Sequence, residues 1–184
     1  NGVVPILHIL KKEFGIEYGH INTIHPVLSD QKLMDSAHKN SHLGRMALNS
    51  IIPTSTSVVK SSIMLHPDLE DKLDCISYRV PTTIVSCIDL AVSLEKNTSK
   101  KEVEDVFLKY ANGFFEGIID CDYGFKEHNK VSIDFIRSSY SSIILMNYVQ
   151  LTNKRFLALS LFHDNEWGYS NRVCDLINYI NKVN

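Results

Sequence analysis

The sequence predicts an α+β domain, on three observations. Segments of two-residue alternation and segments of helical period are mixed without the regular strand, helix, strand repeat of a doubly wound sheet. No G-x-G-x-x-G follows a predicted strand, so the chain holds no dinucleotide-binding fold of its own. At 184 residues, 44% hydrophobic and 22% charged, it fits one domain with a sizeable core, and no repeat or low-complexity linker divides it.

The elements follow in order. Val3, Ile6, Leu7, Leu10 and Phe14 form a helical stripe, with Pro5 tolerated in the first turn and Gly15 closing it. Ile16 to His25 reads as a strand, stopped by Pro26, which cannot donate to a ladder. From Val27 to Ser50 no period survives, and a polar loop of that length in a compact domain is usually functional or held by a partner. Ile51-Ile52-Pro53 then leads into Thr54-Ser55-Thr56-Ser57. Hydroxyls before the apolar run of Val58, Val59 and Ile63 suit either an anion cradle or a plain helix cap.

Asp74 to Pro81 alternates with Ile76, Tyr78 and Val80 on one face and Cys75, Ser77 and Arg79 on the other, which predicts Arg79 at a strand end facing away from the core. Ile84 to Leu94 places Ile88, Leu90, Val92 and Leu94 opposite Val85, Cys87, Asp89 and Ala91. A cross-strand Arg79–Asp89 pair is the purely structural use for both charges. Ser99-Lys100-Lys101-Glu102 is a capping box that opens a helix with Val103, Val106, Phe107, Tyr110 and Ala111 inward. Val131 to Ile136 and Arg155 to Phe162 alternate as strands. Val173, Leu176, Ile177 and Ile180 predict a final helix.

A net charge of −2 gives no electrostatic pull towards nucleic acid or an anionic membrane, and points to small or polar partners. Cys75, Cys87, Cys121 and Cys174 show no metal-ligand or disulfide spacing and are expected to be reduced thiols of a cytoplasmic protein. No apolar run reaches the ~20 residues of a membrane span. Among the eight histidines, His25 stands out by its place at a strand end, where an imidazole can exchange a proton with a nucleophile or substrate.

The stretch His163-Asp164-Asn165-Glu166-Trp167-Gly168-Tyr169-Ser170-Asn171-Arg172, between a strand and a helix, closely resembles the C-terminal signature of the phosphorylating glyceraldehyde-3-phosphate dehydrogenases and their relatives the erythrose-4-phosphate dehydrogenases. Ile51-Ile52-Pro53 with Thr56, Tyr78-Arg79-Val80-Pro81-Thr82, Asp89-Leu90 and Ser141-Ser142-Ile143 fall in the family's order and approximate spacing. The resemblance extends over nearly the whole chain.

It implies an α+β catalytic domain, a large, mostly antiparallel mixed sheet with helices on one face, spanning residues 1–184. A Rossmann NAD(P) domain and a catalytic cysteine in Ser-Cys-Thr-Thr-Asn are expected ahead of this chain, Asn1 resembling the asparagine of that motif. Without that cysteine the chain is expected to be inactive alone. His25 resembles the histidine that draws the thiol proton, and a thiolate is the reactive species. In the family the resulting hemithioacetal gives hydride to NAD, and phosphate cleaves the thioester. Thr56 and Arg79 resemble residues that anchor substrate and phosphate, and Arg45 is similar to an arginine that binds the attacking phosphate. Asn165 resembles the residue that fixes the nicotinamide amide, with Tyr169 packed nearby; Trp167 is expected to pack. The resemblance further implies a homotetramer, a sugar-phosphate substrate and inorganic phosphate, and no metal.

The departures bear on the substrate. Leu28 and Asp30 stand where glyceraldehyde-3-phosphate enzymes carry phosphate-binding threonines, Ser57 replaces a glycine, and His42-Leu43-Gly44 replaces a run of arginines. Ser29-Asp30-Gln31-Lys32-Leu33-Met34-Asp35 with His38 is more similar to the erythrose-4-phosphate enzymes. Glyceraldehyde 3-phosphate is expected first, erythrose 4-phosphate is the alternative, and a non-catalytic binding or assembly domain is the alternative of another class.

Overall fold

The computed structural model describes residues 1–125 and 128–183. Helix α1 (Val4–Phe14) runs into strand β1 (Ile16–His25), the first of eight strands. Strands β2 (Ile52–Thr54), β3 (Leu73–Arg79), β4 (Ser86–Leu94), β5 (Ile119–Asp122), β6 (Ser142–Leu145), β7 (Gln150–Thr152) and β8 (Phe156–His163) follow. Their order in space is β2-β3-β1-β4-β8-β6-β5, with β7 also paired to β8. The β1–β3 and β5–β6 pairs are parallel and the others antiparallel. The expected α+β fold with a mostly antiparallel mixed sheet is therefore what the chain adopts.

One face of the sheet is buried under helices. Ile6, Leu7, Ile9 and Leu10 of α1 and Val103 and Phe107 of α3 (Lys100–Ala111) are fully buried against Ile21, Leu90, Leu159 and Leu161. The one-face stripes of both helices meet the one-face apolar sets of three neighbouring strands, which is how a half-buried sheet is covered. Helix α2 (Val58–Leu65) adds Val58 and Val59 to the edge of this core. Ser99 caps α3 as expected, accepting from Glu102 N–H at 3.2 Å, but the Glu102 carboxylate accepts from Thr98 Oγ1 at 2.6 Å rather than closing the box on the Ser99 backbone.

Several expectations are corrected. Residues 131–136 form a 3-10 turn, Ser132–Phe135, because Asp134 Oδ2 accepts the Val131 N–H at 2.8 Å and folds the segment on itself. The buried face of β3 carries Leu73, Cys75 and Ser77, not Ile76 and Tyr78. Arg79 therefore lies on the helix-covered side, at its polar end. The Arg79–Asp89 pair is absent: β1 lies between β3 and β4, Arg79 stands opposite His25, and Asp89 meets Asn22 and accepts from Ser160 Oγ. The parallel β1–β3 crossover that causes this is invisible to local alternation. The loop after His25 is not structureless. It holds two 3-10 turns, Ser41–Gly44 and Ala47–Asn49, stitched by Ser36 N–H to Gly44 O, Ala47 N–H to Lys32 O and Met46 N–H to Asp35 Oδ1.

Helix α4 (Trp167–Val183) differs from the others. Val173, Leu176, Ile177 and Ile180 lie at helical spacing as expected but are 38%, 58%, 52% and 45% exposed, and among the described residues none of the four belongs to a core cluster.

Candidate functional site

A cleft of about 310 Å³ opens where the helix-covered face of the sheet reaches its edge. Along that face the residue types grade outward in register. Cys75, Ile21, Leu90 and Leu159 form a core row; Ser77, Thr23, Ile88 and Leu161 lie one step out; Arg79, His25, Ser86 and His163 end strands β3, β1, β4 and β8. Successive same-face residues are separated by one intervening residue, so this ordering follows from alternation once the four strands are aligned. The segment 55–61 and the residues leading into α1 close the cleft, contributing Ser55, Thr56, Ser57 and Ser61 with Asn1, Gly2 and Val3.

His25 is half-buried. Its Nδ1 lies 2.8 Å from the Pro26 carbonyl, and a carbonyl only accepts, so Nδ1 carries the proton and the Nε2 lone pair is left free. Burial lowers the His25 pKa and the Arg79 charge adds to that, while the Pro26 bond opposes both. The ring is therefore held as a neutral base beside a cation. Burial lowers the Arg79 pKa as well, with the Asp30 carboxylate pulling the other way, and a guanidinium stays charged throughout. Thr56 Oγ1 accepts the Val58 N–H at 3.3 Å at the start of α2. Hydroxyls, a guanidinium and the first turn of α1 make the cleft suited to an anionic group.

The start of α1 is clamped onto the sheet edge. Ser141 Oγ donates to Asn1 Oδ1 at 3.0 Å, and the Ser142 hydroxyl donates to the Gly2 carbonyl. A Cβ on Gly2 would lie 2.9 Å from Ile88 Cδ1 and 3.3 Å from His163 Nδ1, so the backbone passes close over the strand ends and a side chain here would make Ile88 shift. The segment after β8 is held just as firmly. Asp164, fully buried, accepts from Glu166 N–H at 3.0 Å and Trp167 N–H at 2.8 Å with one oxygen and from Arg137 N–H at 2.8 Å with the other. It thus caps α4 and ties it to the loop after the 3-10 turn.

Of the residues singled out in the sequence, the cleft brings together His25, Thr56 and Arg79. Arg45 is exposed and bound to Asp35 Oδ1 at 3.3 Å, outside the cleft lining. Asn165 and Tyr169 also lie outside that lining; Tyr169 is 60% exposed, Trp167 is 49% exposed, and Asn165 Oδ1 is buried with no partner among the described residues. His163, Ser86 and Ser77 line the cleft unforeseen. Strand parity could have found them, since each is an even step from an apolar core residue, but only with the register known. Burial raises the pKa of Cys87 to about 11 and of Cys121 to about 12, which makes both poor nucleophiles at neutral pH. Among the described residues no group of metal-ligating side chains is gathered.

A mixed sheet covered on one face, with a free-edged imidazole beside a guanidinium at its strand ends, defines an α+β domain of the kind that carries polar catalytic chemistry on a sheet rim. Residues 1–165 match the model of the glyceraldehyde 3-phosphate dehydrogenase C-terminal domain. The chain is 39% identical over 185 residues to glyceraldehyde-3-phosphate dehydrogenase 1 of Agaricus bisporus, covering 100% of this chain and 55% of that protein. It is 38% identical over 180 residues to glyceraldehyde-3-phosphate dehydrogenase 2 of Staphylococcus aureus strain MRSA252, covering 98% and 51%. A Sclerotinia sclerotiorum glyceraldehyde-3-phosphate dehydrogenase is 39% identical over 184 residues, covering 100% and 53%. The chain belongs to the glyceraldehyde-3-phosphate dehydrogenase family of oxidoreductases, as its C-terminal domain. It spans about half the length of these curated relatives.

Proposed function

We propose that this chain is the catalytic half of a dehydrogenase that oxidises a phosphorylated aldehyde, with glyceraldehyde 3-phosphate as substrate and erythrose 4-phosphate as the alternative. The observation that carries the reading is the free Nε2 of His25, fixed by the Nδ1 bond to Pro26, facing a cleft that also holds Arg79 and Thr56. In this role Nε2 draws the proton from the cysteine thiol expected just ahead of Asn1, and the imidazolium then supports charge on the carbonyl oxygen. The positive end of α1 and the Arg79 guanidinium favour a thiolate and a phosphate in the same space.

NAD or NADP, when bound, would accept the hydride. The residue here that fits it is Asn165, whose buried side-chain oxygen lacks a partner among the described residues and suits the amide of a nicotinamide. Arg45, exposed on its loop, is proposed to reach the attacking phosphate; Tyr169 is proposed to flank the cofactor. The full-length protein is proposed to be a cytoplasmic homotetramer, and the chain alone to be inactive.

Asp30 bears on the choice of substrate. Its carboxylate acts on Arg79, which weakens that cation's hold on a phosphate. The test is aldehyde-dependent NAD(P) reduction by the full-length protein, run with each sugar phosphate, with and without inorganic phosphate. Replacing His25 with Asn is expected to lower kcat by about a thousandfold. A full-length protein that carries the upstream cysteine and reduces no NAD(P) with either aldehyde would sink the reading in favour of a binding or assembly domain.

A further inference from the structure

Two polar atoms on the floor of the cleft are buried without a partner among the described residues: Ser86 Oγ and His163 Nδ1. Their residues stand directly opposite each other on β4 and β8, where facing Cβ atoms are about 5 Å apart. A serine hydroxyl turns freely and carries one proton. Turning Ser86 towards the ring joins the two orphans in a single bond, and the direction of that bond follows from counting donors. If Nδ1–H donated to Oγ, the buried Ser86 proton would still lack an acceptor. If Ser86 donates to an unprotonated Nδ1, both atoms are satisfied and the ring proton sits on Nε2. His163 lines the cleft, and among the described residues Nε2 has no hydrogen-bond partner.

We infer that His163 is a neutral hydrogen-bond donor of the catalytic cleft, with Ser86 fixing its Nε2–H tautomer and Nε2–H directed at the oxygen of the reacting carbonyl. The inference rests on the dehydrogenase reading. It gives the two histidines opposite tautomers, so that one begins the reaction as a base and the other as a donor. The Pro26 carbonyl holds the proton on Nδ1 of His25 and leaves a base at Nε2; the Ser86 hydroxyl occupies Nδ1 of His163 and leaves a donor at Nε2. A neutral imidazole in a water-poor site stabilises a developing oxyanion while keeping its own proton. Burial, with the terminal ammonium of Asn1 and then His25 adding to it and Asp164 opposing, lowers the His163 pKa to about 4, which keeps this ring uncharged at neutral pH.

The experiment uses the full-length protein. His163→Phe, which keeps a ring but no donor, is expected to lower kcat by about a hundredfold while KM changes by less than about threefold. His163→Gln retains an N–H and is expected to recover part of that loss. Ser86→Ala, a positioning change, is expected to lower kcat by about fivefold. Nitrogen NMR of labelled histidine should show His163 neutral with its proton on Nε2, and a mixture of tautomers in Ser86→Ala. Unchanged kcat in His163→Phe, or an Nδ1-protonated or charged ring in the unaltered protein, overturns the inference. Should His163→Phe fail to fold, His163→Gln, Ser86→Ala and the tautomer decide it. A protein that reduces no NAD(P) with either aldehyde sinks the dehydrogenase reading itself; one that turns over normally but carries the wrong tautomer sinks this inference alone.

Discussion

His25 and His163 lie on the same edge of the sheet, yet burial acts on them to different degrees, and this has a consequence for stability. The His163 pKa is lowered to about 4 in the folded chain, against about 6.5 when unfolded. Between those values the unfolded chain binds a proton that the folded chain refuses, so stability is full above the unfolded value and falls as pH drops towards 4. His8, His25 and His66 are shifted in the same direction, chiefly by burial. His163→Phe should therefore flatten, without abolishing, the decline in thermal midpoint between pH 7 and pH 5. An unaltered slope would show that His163 is not the buried neutral ring described above. His25 was legible from its strand-end position and its neighbour Pro26, whereas His163 was read as part of a signature and not as a group in its own right. Its importance comes from Ser86 and Gly2, which are far away in sequence.

Among the elements, α4 is the most conditional. Its start is secured by Asp164, whose two oxygens take three backbone N–H groups, and by Gly168, where a Cβ would lie 2.7 Å from the Tyr140 carbonyl. Beyond that first turn its apolar stripe is largely exposed and, among the described residues, outside the core clusters. Asp164→Ala removes the cap and leaves the Arg137 N–H unpaired. It is expected to cost about 2–3 kcal/mol in urea unfolding, with Asp164→Asn milder because the amide oxygen still accepts. The stripe itself was plain from spacing, but spacing cannot say whether a covering surface exists. The 3-10 turn at Ser132–Phe135 was misread as a strand for a related reason: a single aspartate bonding back to Val131 outweighed alternation over six positions.

For the whole molecule, stability is concentrated where α1 and α3 meet the central strands. Leu90 is fully buried in the middle strand of that face, so Leu90→Ala is expected to cost about 3–5 kcal/mol. Leu176→Gln on α4 is expected to change the stability of the isolated chain by less than about 0.5 kcal/mol, since it touches no core. Chemical denaturation of the two variants side by side checks the contrast. Equal losses would mean that α4 is packed against the domain after all.

The sequence by itself determined the α+β class, the two core helices, the long strands β1, β4 and β8, and the place of His25 at a strand end, because each depends on a pattern confined to a dozen residues. The family signature around Asn165 was equally local. Only the tertiary structure decided that β1 separates β3 from β4, that Arg79 therefore faces His25 instead of Asp89, and that Ser86 stands opposite His163, whose Nδ1 lies beneath Gly2. Register and strand order are set by how several apolar faces pack together at once, and a one-residue change of register would have turned every one of these side chains to the other face.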